Sequence, residues 1–177
     1  MRFIVSLCFL CLALCPIASA QQTPSLNLPL GQEVTLTIGS AGTTVISQGA
    51  ADNASAALEQ TSRDVNAGAY GPSAGSNYAQ VPLTQDATGG AIEPNTLRIK
   101  LIALAGHQTV LMIRSGYERA LSYRAILHRG LQSSATDVCM VRPHAFGVEQ
   151  WPYLVDSIDL SELTLVPFAE GDQLVCR

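Results

Sequence analysis

Alternation of polar and apolar residues is the feature of this sequence that most restricts its fold. The alternation runs through residues 33–38, 97–101 and 120–128, and a continuous apolar stretch occupies residues 109–113. A period of two places successive side chains on opposite faces of a strand, whereas a helix requires a period near 3.6. Because glycine-containing turn signals separate these segments, the pattern predicts short antiparallel strands.

The predicted fold class is therefore all-β, an antiparallel β-sandwich. Residues 137–142 are predicted as a further strand, and residues 156–166 as one strand or two. The chain order of Cys139, Trp151 and Cys176 resembles that of immunoglobulin domains, but the second interval is too short for their strand order. We expect an immunoglobulin-like architecture and not a true immunoglobulin domain.

The middle of the chain differs in composition from these strand-rich parts. Residues 48–78 are rich in Ala, Ser, Gly and Asn, which is typical of a flexible loop. Within them, Ala54, Leu58 and Val65 would share one face of a helix. One short helix is therefore expected near residues 53–65.

The first twenty residues have the pattern of a secretory signal peptide. Arg2 supplies a basic start, residues 3–15 are almost wholly apolar, and Ala18-Ser19-Ala20 is a small-residue cleavage site. The apolar run is too short to span a bilayer. We expect residues 1–20 to be removed and residues 21–177 to form a single exported domain, periplasmic or extracellular, without an integral membrane span. Lipidation at Cys15 is the alternative use of this leader.

Removal of the leader would leave two cysteines, Cys139 and Cys176, because the other three lie within residues 1–20. In an oxidising compartment, two cysteines most simply form one disulfide. This bridge would close a loop of 37 residues (176 minus 139). The chain-entropy model assigns such a loop roughly 3–4 kcal/mol of stabilisation.

The charge balance argues against nucleic acid as a partner. Without Arg2, nine basic residues (ten minus one) face fourteen acidic ones, which gives a net charge of −5. Seven of the basic residues lie within residues 98–142, and six of the acidic residues lie within residues 143–177. We expect these two parts either to pair inside the fold or to present faces of opposite charge.

Five residues are candidates for a binding surface. Tyr117, Arg119, Tyr123 and Arg124 form an aromatic and basic cluster, and tyrosine and arginine together are frequent at sites of recognition. Trp151 could likewise serve as a ligand platform. The alternative for all five is packing within the fold, with the arginines paired to nearby carboxylates.

Three residues are candidates for a metal site. Blue-copper proteins bind their metal with one cysteine, two histidines and a weak axial methionine on a β-sandwich. The segment from Cys139 to His144 resembles their ligand loop, with His107 as the second histidine, although no methionine follows His144. This site requires a free thiol at Cys139 and so excludes the disulfide. With the disulfide, we expect no cofactor.

One short motif suggests a hydrolase. Residues 71–75 match G-x-S-x-G, with Ser73 in the position of the nucleophile. That motif acts at a strand-to-helix turn above a parallel sheet, which the β-rich pattern of this chain does not predict.

The leading hypothesis for the function is a binding or structural module of the cell envelope, without enzymatic activity. Its partner would be an envelope or extracellular protein, or a surface polymer, held at a sheet face or edge. A small metal-binding protein of the cupredoxin type is the second hypothesis. A hydrolase is the third.

Overall fold

The computed structural model describes residues 25–51, 79–82, 92–104 and 107–177. The signal peptide, the predicted helix and Ser73 therefore lie outside the described residues. The ten described strands are β1 (Leu26–Pro29), β2 (Gln32–Gly39), β3 (Gly42–Ala50), β4 (Ala79–Pro82), β5 (Leu97–Leu104), β6 (Gln108–Ser115), β7 (Ala120–Arg129), β8 (Gln132–Thr136), β9 (Ala145–Trp151) and β10 (Ser157–Val166).

These strands form two antiparallel sheets. One has four strands in the order β1-β10-β7-β8, and the other has six in the order β3-β2-β5-β6-β9-β4. The chain passes from the first sheet to the second at Leu30 and Gly31, whose N–H groups donate to Asp156 O and Leu101 O respectively. Gly31 adopts a φ of 81°, which favours glycine at this sharp crossing. The arrangement confirms the predicted all-β sandwich.

The main hydrophobic core lies between the two sheets. The alternation of polar and apolar residues places one face of each strand in this core. In β7 the inward residues Leu121, Tyr123, Ala125 and Leu127 are buried, as the alternation predicts. The six-stranded sheet supplies the opposing layer. Its members in this core include Val34, Leu36, Leu97, Ile99, Leu101, Leu111 and Ile113.

A second apolar cluster lies on the outer face of the six-stranded sheet. It consists of the buried side chains of Ile102, Leu104, Val110, Met112, Phe146 and Val148. Strand β6 is therefore buried on both faces, which explains why its sequence is continuously apolar. Glu33 lies beside this cluster, with Oε2 2.9 Å from the buried ammonium of Lys100.

Of the residues described, none forms a helix that is long and apolar enough to cross a membrane.

The structure differs from the predicted strands in three places. Residues 137–142 contain only isolated bridges, and the chain instead forms β8 and β9 on either side of them. Neither strand shows the expected alternation, because β8 lacks large apolar residues and β9 is buried on both faces. Strand β3 continues to Ala50, so the first residues of the predicted loop are paired with β2.

Strand β10 is one continuous strand and does not turn back on itself. Its pairing with β7 shifts register between Ser161 and Thr164, which marks a β-bulge. Glu162 lies within the bulge with a φ of 52°. Of the two alternatives for residues 156–166, the structure therefore has the single strand, with an irregularity inside it.

Cys139 and Cys176 form the predicted disulfide. Backbone hydrogen bonds flank it, from Met140 N to Val175 O (3.1 Å) and from Arg177 N to Val138 O (2.9 Å). The Arg177 guanidinium also donates to Ser122 Oγ at 2.8 Å. The bridge therefore fixes residues 175–177 against the segment that precedes β9.

A carboxyl group lies buried beside the disulfide. Glu149 occupies an inward position of β9 and accepts a hydrogen bond from Cys139 N at 2.8 Å. Burial raises the pKa of Glu149 to about 8, because desolvation disfavours the charged form more strongly than the Cys139 N–H stabilises it. Glu149 is therefore mainly a neutral acid at neutral pH.

Removal of the disulfide should destabilise the protein without changing its topology. We expect Cys139→Ala combined with Cys176→Ala to lower the free energy of unfolding by about 2–4 kcal/mol, because the unfolded chain regains the entropy of an open loop. Urea denaturation measures this loss, and reduction of the wild type should reproduce it. An unchanged urea midpoint would contradict a stabilising role for the bridge.

Glu149 should make the stability of the fold depend on pH. Between its ordinary pKa of 4.5 and its folded value of about 8, the folded state retains a proton that the unfolded state has lost. The free energy of unfolding therefore falls as the pH rises through this window. Glu149→Gln removes the titration and keeps an oxygen that can accept from Cys139 N.

We expect the stability of Glu149→Gln relative to the wild type to increase by up to about 1.4 kcal/mol per pH unit across this window. Urea denaturation at intervals from about pH 5 to about pH 8 measures the trend. Glu170→Gln, at an exposed position, is the matched control. If the difference in free energy of unfolding between Glu149→Gln and the wild type stays constant with pH, that result would contradict the raised pKa of Glu149.

Candidate binding site

The structure separates the five candidate binding residues into a buried set and an exposed set. The exposed fractions of Tyr117, Tyr123 and Trp151 are 5%, 2% and 8%, and all three belong to the main core. Trp151 is anchored there by a hydrogen bond from Nε1 to Thr136 Oγ1 at 3.0 Å. Arg119 and Arg124 are exposed. The expected aromatic and basic surface is therefore not formed, because its aromatic members occupy inward positions.

Tyr117 nevertheless determines where Arg119 lies. Its hydroxyl accepts a hydrogen bond from Ile38 N at 2.7 Å, at the end of β2. This contact joins the turn between β6 and β7 to the β2–β3 hairpin. Arg119, two residues further along the chain, is thereby held beside the tip of that hairpin.

A groove of about 620 Å³ opens at this position. We call it the hairpin groove. Its lining consists of residues 38–43 of the β2–β3 hairpin, Arg119 and residues 162–165 of β10. Ile38, Leu163 and Leu165 are half-buried there and give it apolar walls.

The β10 wall of the hairpin groove is a strand edge. Strand β1 pairs with β10 only from Ser157 to Leu160. Beyond the bulge, residues 164–166 pair with β7, and no other described strand pairs with them. Backbone N–H and C=O groups at such an edge are available to a further extended segment.

The charges in the hairpin groove are unevenly matched. Glu162 is engaged by Arg124, at 3.0 Å, and its Oε2 lies 3.8 Å from the Arg177 guanidinium. Arg119 makes no hydrogen bond or ion pair within the part of the chain that the structure describes. The packing alternative therefore holds for Arg124, whereas Arg119 lines the groove without a carboxylate partner among the described residues.

The hairpin also carries an exposed edge on its other side. Strand β3 pairs with β2, and no other described strand pairs with it. All nine of its residues are exposed and none is charged, with Val45 and Ile46 the largest apolar side chains. Natural edge strands are commonly protected by charges or bulges, and here a register shift between Thr35 and Leu36 of β2 supplies the irregularity.

The predicted metal site is not formed. Cys139 is bonded to Cys176 and has no thiolate to offer a metal. His107 directly precedes β6, whereas His144 donates its backbone N–H to Tyr117 O beyond the other end of that strand. Eight extended residues span roughly 26 Å, so the two histidines lie far apart. Among the described residues, no three His, Cys, Asp or Glu side chains are grouped to hold a metal ion.

Comparisons of the chain with protein-family models, curated proteins and solved structures find no significant match. The functional interpretation therefore rests on the geometry of the described residues.

Tyr117→Phe should loosen the wall of the hairpin groove. The substitution removes the oxygen that accepts from Ile38 N, so we expect the free energy of unfolding to fall by about 1 kcal/mol. The amide of Ile38 should exchange faster with solvent in a hydrogen-exchange NMR experiment. Tyr153→Phe, at an exposed position, is the control, and equal exchange at Ile38 in both variants would contradict this role of Tyr117.

Proposed function

We propose that this protein is an exported binding module of the cell envelope, without enzymatic activity in that role. It would hold an extended, carboxylate-bearing segment of an envelope or extracellular protein in the hairpin groove. The observation that carries the proposal is the position of Arg119 beside the β10 edge, where it has no carboxylate partner among the described residues.

An extended peptide fits the hairpin groove because the groove offers two kinds of contact by which a strand is added to a sheet, namely backbone hydrogen bonds and apolar side-chain contacts. The edge of β10 beyond Thr164 offers backbone hydrogen bonds to a further strand. Ile38, Leu163 and Leu165 offer apolar contact to alternate side chains of that strand. Main-chain bonds supply affinity in this mode of recognition, and side-chain contacts supply specificity.

Arg119 supplies the chemical selectivity in this proposal. A guanidinium matches a carboxylate through two parallel hydrogen bonds, which are stronger than bonds between neutral groups. Glu162, the nearby carboxylate of the groove, is already engaged by Arg124. In this proposal, a carboxylate on the incoming segment would pair with Arg119.

Export is supported by two independent features of the chain. Residues 1–20 have the pattern of a signal peptide, and Cys139 and Cys176 form a disulfide. Disulfides persist mainly in oxidising compartments outside the cytoplasm. A partner in the envelope or outside the cell follows from this location.

Binding should depend on Arg119 and on a carboxylate. The probe is a set of synthetic peptides with alternating apolar residues and a carboxylate, each paired with its amidated counterpart and titrated by fluorescence anisotropy. We expect Arg119→Glu to weaken binding of the carboxylate peptides by at least about tenfold, because a new charge repels the ligand. Arg129→Glu, at an exposed arginine outside the groove, should bind as the wild type does.

Three results would contradict the proposal. The first is that no peptide of the set binds, and the second is that Arg119→Glu and the wild type bind them equally. The third is that oligosaccharides containing uronic acid bind with Arg119 dependence while the peptides do not. That last result would identify a surface polymer as the ligand in place of a protein.

A further inference from the structure

A chain of hydrogen-bonded side chains crosses the outer face of the four-stranded sheet. Asn27 of β1, Asp159 of β10, His128 of β7 and Ser133 of β8 each contribute one member. The strand register brings them together, because Asn27 pairs with Asp159 and His128 pairs with Ser133. Asn27, Asp159 and His128 alternate with core residues and so point away from the main core, and Ser133 contacts His128 from the neighbouring strand.

The contacts along this chain are short. Asn27 Nδ2 donates to Asp159 Oδ1 at 2.7 Å, and His128 Nε2 lies 2.8 Å from Asp159 Oδ2. On the other side of the imidazole ring, Nδ1 lies 2.8 Å from Ser133 Oγ. The hydroxyl, the imidazole and the carboxylate are thus connected in series.

The carboxylate determines the roles of the two imidazole nitrogens. Burial raises the pKa of Asp159, but hydrogen bonds from Asn27 and His128, together with the charge of His128, outweigh burial and lower it. Asp159 is therefore ionised at neutral pH and can only accept. In the neutral ring the proton must then lie on Nε2, which leaves the lone pair of Nδ1 to accept the Ser133 hydroxyl.

This arrangement has the roles found in serine hydrolases, where a carboxylate orients a histidine that accepts the proton of the serine. Such relays are recognised by geometry and roles and not by sequence position. Here the serine faces Nδ1 and the carboxylate faces Nε2, with Asn27 holding the carboxylate from behind. The relay is separate from the hairpin groove and does not involve Ser73.

The surroundings of Ser133 leave room for a small substrate. Ser133 is exposed and contributes to the lining of an open groove of about 450 Å³, together with Arg129, Gln132 and Tyr153. The Arg129 guanidinium stacks over the Tyr153 ring, 5.2 Å from its centre. An open groove of this kind admits a small acyl group from solvent.

We propose that Ser133 is a nucleophile that accepts acyl groups from small carboxylic esters, with His128 as the general base and Asp159 and Asn27 as positioning residues. This activity goes beyond the proposed binding function and does not rest on it.

The reaction balances with water as the only co-substrate. A bond forms between Ser133 Oγ and the ester carbonyl carbon while the bond from that carbon to the alcohol oxygen breaks. The serine proton passes to His128 Nδ1 and then to the departing alcohol. Water next bonds to the carbonyl carbon and releases Oγ, and one proton of that water passes through His128 Nδ1 to Ser133 Oγ, so that one ester and one water give one acid and one alcohol.

The test uses the mature protein with p-nitrophenyl acetate as the probe. Release of nitrophenolate is followed by absorbance, and acid-quenched samples are analysed by peptide mass spectrometry. We expect a single acetyl group on Ser133 and a rate that falls about a hundredfold or more in Ser133→Ala and in His128→Gln. Ser47→Ala, at an exposed serine of β3 outside this groove, is the matched control and should react as the wild type does.

Asp159→Asn separates a positioning role from a purely structural one. The amide can donate to Nε2 and favour the wrong tautomer, so we expect slower acylation and an altered pH–rate profile in protein that remains folded. Folding is monitored by thermal unfolding of each variant.

Other outcomes would overturn the proposal. These are the absence of acetylation in the wild type, acetylation at other residues with Ser133 unmodified, and equal rates in the wild type and Ser133→Ala. A lower melting temperature in the variants with no change in acylation would identify the chain as a structural tie across the sheet, and the proposal would be wrong.

Discussion

Burial of one face of each strand between two sheets is the constraint on which the other features of this protein depend. Because the side chains of a strand alternate, the inward position of Leu121 also directs Tyr123 into the core and Arg124 to the surface. The same alternation places His128 and Asp159 on the outer face of their sheet. Core packing thus determines which polar side chains can meet at the surface.

The region of the disulfide and the region of the β2–β3 hairpin are held together by different contacts. Near the disulfide, the carboxyl group of Glu149 is buried and satisfied by Cys139 N, so covalent and polar contacts hold residues 175–177 in place. Near the β2–β3 hairpin, the Tyr117 hydroxyl joins the turn between β6 and β7 to Ile38, and the hairpin groove opens beside this contact. The hairpin groove is therefore the place where we propose that a ligand binds.

The sequence predicts strands where one face is buried and the other is solvated, and β2 and β7 follow this rule. It does not predict β8, which has no large apolar residue, or β9, whose buried side chains include the polar residues Glu149 and Gln150. Counting the cysteines outside the leader predicts the disulfide, and the disulfide in the structure removes Cys139 from any metal site.

The sequence predicts less of the two surface sites, the hairpin groove and the relay of Ser133, His128 and Asp159. Arg119 is a candidate from sequence, but the hairpin groove joins residues 38–43 to residues 162–165, and only the fold brings these together. The described pairing of β1 with β10 ends at Leu160, beside a bulge that the sequence marks merely as a break in alternation. Ser133, His128 and Asp159 form no recognisable motif along the chain, because their contacts depend on the register of three strands.

Amide hydrogen exchange with and without a bound carboxylate peptide is the most direct test of binding at the hairpin groove. If the peptide adds to β10 beyond Leu160, amides in residues 162–166 should become protected, since they gain hydrogen bonds from the new strand. Protection confined to residues 42–50 would place the peptide on β3 and contradict the proposed site, as would an unchanged exchange pattern.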